Sequence, residues 1–314
     1  MERKSHPLRG YLYIASAALF WGVAATLGRA AFTGRLFSSS LQDVDPLILS
    51  QCRTSFSFLA LLPALLLFRG PRRIALPKAD LGRTLLLGLL GVVPSNYFYY
   101  LAIQRTNVAT AIVVQYTAPV WVLLYLAARG VQRVNWQRGI AVALAVAGIA
   151  IMIGLGPARL RLDYLGIGAA LLAAFSFSFY NIAGHGILGR YDHWIVLFYT
   201  TLSASLVWLV INPPWRIAAA HYSAAEWIFL LVFALLSVLV PFSFYFAGLG
   251  HLEPTRAIIV SCLEPVFSIV IAAFALGELL SPLQTVGIIL VLAAIVLVQR
   301  PDRKSAALVV EPID

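Results

Sequence analysis

Charge is what this chain has least of. Only 11% of its residues are Asp, Glu, Lys or Arg, against roughly 25% in an ordinary soluble domain. No polar stretch is long enough to fold as a soluble domain of its own. The two cysteines, Cys52 and Cys262, both fall inside apolar runs, so neither a disulfide framework nor a paired metal-ligand motif is indicated. The five histidines are scattered, no His-Glu-x-x-His motif occurs, and no apolar run carries paired carboxylates. Those absences count against the different-class reading, an intramembrane enzyme acting on a lipid-linked substrate, which needs acid, base or metal-binding groups gathered near one membrane face. A phosphate-binding glycine loop is also missing, so no ATP, no other cofactor and no resident metal is expected.

What is present is apolar. Hydrophobic residues make up 61% of the chain. Runs of about 18 to 24 such residues recur, each long enough to cross a hydrocarbon core of about 30 Å. The first follows ten mostly polar residues and is too long for a cleaved signal peptide. Ten spans are expected: 10–32, 46–68, 81–103, 108–126, 136–153, 164–187, 194–211, 227–248, 254–276 and 283–298. Breaks such as Phe68-Arg-Gly-Pro-Arg-Arg73 and Ile211-Asn-Pro-Pro214 combine charge with helix-breaking residues. Trp136, Trp194, Trp215 and Trp227 stand at span ends, where an interfacial aromatic belt belongs.

The net charge of +10 sits in short connections beside the spans. That distribution argues for a bilayer partner and against nucleic acid. With a cytoplasmic N-terminus, 15 Lys and Arg fall inside and 5 outside, the asymmetry of the positive-inside rule. Both termini, 1–9 and 299–314, are then cytoplasmic tails of a bacterial-type inner-membrane protein.

The chain repeats itself. Ala111-Ile-Val-Val overlays Ala257-Ile-Ile-Val, Pro119-Val-Trp overlays Pro265-Val-Phe, and Phe98-Tyr-Tyr overlays Phe244-Tyr-Phe, all without a gap. Each half holds five spans, and five is odd, so the second copy enters the membrane from the opposite side. The expectation is an all-α polytopic membrane protein of ten transmembrane helices in two inverted five-helix repeats, 10–153 and 164–298.

A charge at the middle of a spanning helix costs roughly 2.5–3.5 kcal/mol on insertion scales, so polar groups inside the spans need reasons. Glu264 precedes Pro265, whose missing N–H kinks the ninth span as Pro119 kinks the fourth, with Ser261 and Ser268 on the same helical face as Glu264. Glu264 is read as a substrate or proton site, or else as half of a packing ion pair with Arg53 or Arg29. Arg53, about two turns into the second span, is read as tying that helix to a neighbouring carbonyl or carboxylate, and His185, near an inner span end, is a coupling candidate or an interfacial residue. Asn96 and Tyr99 share a face, as do Gln115 and Pro119, and as do Phe177, Tyr180, Asn181 and Gly184. Trp21, Tyr116, Trp121 and Tyr245 add aromatic surface, either to a pocket for an amphipathic solute or to plain packing. Spans five and ten are small-residue rich and nearly apolar, which fits a scaffold of a monomer or the contact of a homodimer.

These residues resemble the EamA-type branch of the drug/metabolite transporter superfamily over nearly the full chain. The resemblance rests on Phe20-Trp-Gly22, Arg53, Ala118-Pro-Val120 and above all Glu264-Pro-Val-Phe with Leu276-Gly-Glu-Leu279. It implies a ten-helix inverted repeat, export or exchange of small organic metabolites, commonly amino acids, and a cavity lined by helices other than five and ten. The first repeat lacks the Leu-Gly-Glu that typical members carry after span four, so Glu278 has no counterpart. The reading is therefore a secondary carrier of aromatic or other neutral amino acids working by alternating access. The alternative is an exporter of cationic drugs or quaternary amines, with Glu264 as counter-ion and Trp21 and Trp121 as cation–π faces.

Overall fold

The computed structural model describes residues 6–32, 46–105, 111, 114–131, 135–153, 163–219, 222–276 and 281–299. Helix accounts for nearly all of them. Besides two short connecting helices, Pro71–Ile74 and Pro214–Ala218, the helices in chain order are α1 (Pro7–Phe32), α2 (Pro46–Arg69), α3 (Lys78–Leu86, Leu87–Val92 and Val93–Arg105), α4 (Ala118–Ala128) and α5 (Trp136–Ile153). There follow α6 (Tyr164–Leu188), α7 (His193–Ile211), α8 (Ala224–Ala234, Leu235–Leu239 and Val240–Leu249), α9 (Pro254–Ser261 and Leu263–Leu276) and α10 (Pro282–Gln299). Among the described residues, seven helices are long and apolar enough to cross a membrane, and α4, α5 and α10 are apolar but shorter.

The ends follow from local chemistry. Asp163 caps α6 by accepting from the Gly166 N–H at 2.8 Å, and Asp192 caps α7 by accepting from Trp194 at 2.9 Å. Ser223 and Glu226 form a reciprocal capping box at the start of α8. Gly130, at φ 67°, closes α4; the Val131 N–H returns to the Leu126 carbonyl at 3.0 Å, a bond that needs the left-handed residue before it.

The outside of the bundle is apolar. Phe68 and Phe274 are each 87% exposed, with Leu67 and Val210 at 82%, a surface suited to hydrocarbon rather than water. The inside is where small residues let backbones meet. A Cβ at Gly22 of α1 would lie 2.8 Å from Phe267 and 2.9 Å from the Ser268 nitrogen of α9. Gly148 of α5 similarly abuts the Gly287 carbonyl of α10 at 2.8 Å. Helix α1 packs on α8 and α9, α6 on α3 and α4, α2 on α7, and α5 on α10.

Two irregularities recur. Helices α3 and α8 each widen into a π-helical stretch, Leu87–Val92 and Leu235–Leu239, directly before a Val-Pro pair. A break stands just before the proline of α4 and that of α9: at Tyr116 and Thr117, between helical residues 114–115 and the start of α4, ahead of Pro119, and at Cys262 within α9, ahead of Pro265. The Thr117 N–H turns back to Val114 and the Cys262 N–H to Ile259, each at 3.1 Å. The break at Cys262 separates Ser261 from Glu264 and Ser268, which stay four residues apart within the unbroken segment Leu263–Leu276. Ser268 offers its carbonyl to Thr26 of α1 at 3.3 Å.

Candidate functional site

The site begins with a missing donor. Pro241 has no N–H to return to the carbonyl one turn earlier, that of Ser237. That carbonyl accepts from the Trp21 indole at 3.1 Å and from Arg53 Nη2 at 3.1 Å. The wide turn of α8 thus supplies a buried acceptor to α1 and α2 together. Arg53 is 7% exposed, and neutral oxygens surround it. Its Nε donates to Ser237 Oγ at 2.8 Å, and its Nη1 donates to Asn96 Oδ1 at 3.3 Å and to the Tyr100 hydroxyl. Its carbon lies over the Tyr100 and Phe233 rings, 5.1 and 5.5 Å from their centroids, a placement that favours a cation. Asn96 is held in turn by donating to the Val92 carbonyl at 2.8 Å, one turn back in α3.

Beside this lies an acid. Tyr116, at the interruption of α4, donates its hydroxyl to Glu264 Oε2 at 2.7 Å. The two repeated helix breaks are thus joined by a side-chain hydrogen bond. Arg53 and Glu264 act on each other electrostatically, yet no salt bridge joins them among the described residues. Tyr99, half-buried on the same helix as Tyr100, stands within the field of both charges.

The third part is aromatic. Tyr245 donates to Asn181 Oδ1, and Asn181 donates to the Phe177 carbonyl at 2.8 Å. Ser261 lies against the Tyr245 hydroxyl. The Trp21 ring packs 5.3 Å from both Phe242 and Tyr245, and Tyr180 stacks on Phe246 at 5.0 Å. Tyr180 is fully buried, and its hydroxyl has no partner among the described residues. Together these contacts form an interior circuit: Trp21 joins Ser237 and Tyr245, Ser237 and Tyr100 join Arg53, Tyr245 joins Asn181, and Tyr116 joins Glu264, which lies within reach of the Arg53 charge. It draws on α1, α2, α3, α6, α8 and α9 and on the break before α4, with nothing from α5 or α10.

Some sequence candidates lie elsewhere. Trp121 donates to Thr117 Oγ1 at 3.1 Å and sets its ring 4.6 Å from Phe175, which is 46% exposed on the outer surface. It does not join the circuit. His185 bonds through Nδ1 to the Leu249 carbonyl at 2.9 Å, fastening the end of α6 to that of α8. Gln115 is half-buried just before the interruption at Tyr116 and Thr117. Arg29 lies in α1, but its side chain, like Glu278, is outside the described residues. Ser237 and Tyr100 are central and carried only weak signals: a serine four residues before a proline, and the second tyrosine of the repeated Phe-Tyr-Tyr.

At one edge of the bundle the two halves are tied by polar contacts. Arg69 meets Asp192 at 3.0 Å, Arg190 meets Asp80 at 3.4 Å, and Tyr191 donates to Asp80. Burial works against the Asp192 carboxylate, but the Trp194 N–H, His193 and Arg69 outweigh it and hold its pKa below the usual value. The bond to Asp80 holds the Tyr191 phenol above its usual range. No group of three metal-type ligands gathers among the described residues.

Similarity to known proteins agrees with this architecture. The EamA-like transporter family profile matches twice, over residues 8–154 and 164–300. An uncharacterized inner membrane transporter of Salmonella typhimurium, YicL, is 22% identical over 304 residues, covering 95% of this chain and 97% of that protein. The threonine/homoserine exporter RhtA of Escherichia coli K12 is 29% identical over 203 residues, which are 63% of this chain and 65% of that exporter. A solved crystal structure superposes with a TM-score of 0.74 at 18% identity, covering 98% of this chain and all of that one, a likeness of fold. This multi-pass membrane protein belongs to the EamA-like transporter family.

Proposed function

We propose that the protein is a secondary carrier that exports or exchanges small organic metabolites, amino acids foremost, by alternating access to the buried circuit. The observation that carries this reading is the circuit itself. Seven of the ten apolar helices or the breaks beside them send polar side chains to one interior region. Buried polar groups in a membrane protein are costly and usually mark a solute path. RhtA, named for threonine and homoserine, supports the amino acid class.

Alternating access needs two states of similar energy, which an inverted duplication supplies. Ten spans in two inverted five-helix repeats are supported by the paired irregularities of α3 with α8 and α4 with α9. They are also supported by packing: α1 against α8 and α9 mirrors α6 against α3 and α4, while α2–α7 and α5–α10 each join an element to its counterpart. The positive-inside rule places both termini in the cytoplasm, and the Arg69–Asp192 edge is then the inner face. Helices α5 and α10 act as the scaffold, and their outer faces meet lipid or a second copy. Glu264 is the group where a proton or an amine competes for the site.

The test is counterflow. Liposomes holding the purified protein and an unlabelled amino acid should accumulate the labelled one transiently, without ATP. A broad panel of metabolites with no flux of any kind would refute the carrier reading.

A further inference from the structure

Resting on the carrier reading, we propose that the interior site recognises a zwitterion and that its two poles are assigned to different residues: Glu264 takes the ammonium, and the Tyr100 hydroxyl backed by Arg53 takes the carboxylate.

The argument starts from a pair of opposite charges that fails to close. Arg53 and Glu264 are near enough to act on each other, and a buried charge without an opposite partner is expensive. Direct contact would relieve both. Instead each is pinned on separate helices by neutral groups: Arg53 by Ser237 of α8 and by Asn96 and Tyr100 of α3, Glu264 by Tyr116. The protein holds the charges apart, and the cost of doing so is offset when a solute bearing both signs lies between them.

Atom accounting shows what faces that solute. A guanidinium has five N–H donors. Nε, both hydrogens of Nη1 and one of Nη2 are used within the protein, which leaves one. The Tyr100 oxygen accepts from Arg53, so its own proton turns away from the guanidinium and has no acceptor among the described residues. On that side the site offers donors backed by positive charge. On the other, Glu264 uses Oε2 for Tyr116, while Oε1 has no partner among the described residues. That side offers an acceptor backed by negative charge. A simple cation would satisfy Glu264 and leave Arg53 uncompensated, and a simple anion would do the reverse. A zwitterionic amino acid satisfies both.

The test uses the full-length protein in liposomes, with labelled threonine and labelled phenylalanine as probes. The competitors are each amino acid, its methyl ester, which keeps only the positive pole, and its N-acetyl form, which keeps only the negative. With the wild-type protein both derivatives should compete at least roughly tenfold more weakly than the parent, since losing a partner to a buried charge costs that much or more. Tyr100→Phe should weaken the parent and the N-acetyl form more than the ester. Glu264→Gln should weaken the parent and the ester more than the N-acetyl form. Derivatives that compete as well as the parent, or variants that weaken all three compounds alike, would overturn the assignment while leaving the carrier intact. No flux with any probe would overturn both. The wild-type comparison needs no variant, so the requirement for both poles is decided even if a substitution prevents folding, and derivatives competing as well as the parent there overturn the proposal outright.

Discussion

The close approach at Gly22 makes a prediction whose sign is set by geometry alone. Gly22→Ala adds a methyl that would lie 2.8 Å from the Phe267 Cβ and 2.9 Å from the Ser268 nitrogen. Part of what it meets is backbone, so no side-chain rotation can clear it. Ordinary contact begins near 3.4 Å, so α1 and α9 must part by about 0.6 Å, and overpacking of this kind costs about 1–3 kcal/mol. Replacing glycine in a helix interior returns about 0.5–1 kcal/mol. The net expectation is a loss of up to about 2.5 kcal/mol, centred near 1 kcal/mol. Gly186→Ala in α6 is the control. A methyl added there would meet nothing within 4 Å, so only the gain of about 0.5–1 kcal/mol remains. Thermal unfolding of detergent-purified protein, followed by tryptophan fluorescence, reads both. In a chain of this size about 1 kcal/mol moves the midpoint by roughly 2 °C. Gly22→Ala should melt a few degrees lower, and Gly186→Ala at the wild-type midpoint or above it. Midpoints that move together, in the same direction and by the same amount, would refute the packing argument. Because Trp21 is next to Gly22, the first variant should also transport less well at a temperature where it is fully folded.

Trp21→Phe removes an indole donor from the Ser237 carbonyl and should raise the half-saturation concentration for transport by roughly tenfold. Trp121→Phe, outside the circuit, should leave it within about twofold, both read by initial rates of counterflow. Tyr116→Phe strips Glu264 of its hydrogen-bond donor and should lower stability by about 1–3 kcal/mol, measured as a fall in the unfolding midpoint. At the edge of the bundle, the depressed Asp192 carboxyl contributes stability that is complete above the ordinary carboxylate pKa and is lost as pH falls through its lower folded value. The wild-type midpoint should therefore drop below about pH 4, while Asp192→Asn starts lower at neutral pH and falls less over that range.

The helices were legible in hydropathy because each apolar run is long and bounded by charge, proline or an interfacial tryptophan. The expected limits 136–153 and 194–211 sit within one residue of Trp136–Ile153 and His193–Ile211. Pro119 and Pro265 announced the interruptions of α4 and α9, since a proline inside an apolar run must leave a carbonyl without its donor. What could not be read was rotational phase. These helices are apolar nearly all round, so no polar stripe shows which face turns inward. That is why Trp121 looked equivalent to Trp21 in sequence. The break at Tyr116 and Thr117 turns it toward Phe175 instead. The same uncertainty hid the partner of Arg53. A carboxylate such as Glu264 and a neighbouring carbonyl were both open readings, and the π-helical turn before Pro241 supplies the carbonyl, that of Ser237, beneath the guanidinium.

The most direct measurement of the central claim is the position of bound solute in the amino acid-loaded protein, seen as density in a reconstituted bilayer. It should lie among Trp21, Tyr100, Tyr245 and Glu264, in contact with side chains from both halves of the chain. Density for the solute outside this circuit, with the Tyr116–Glu264 and Arg53–Ser237 contacts undisturbed, would contradict the account.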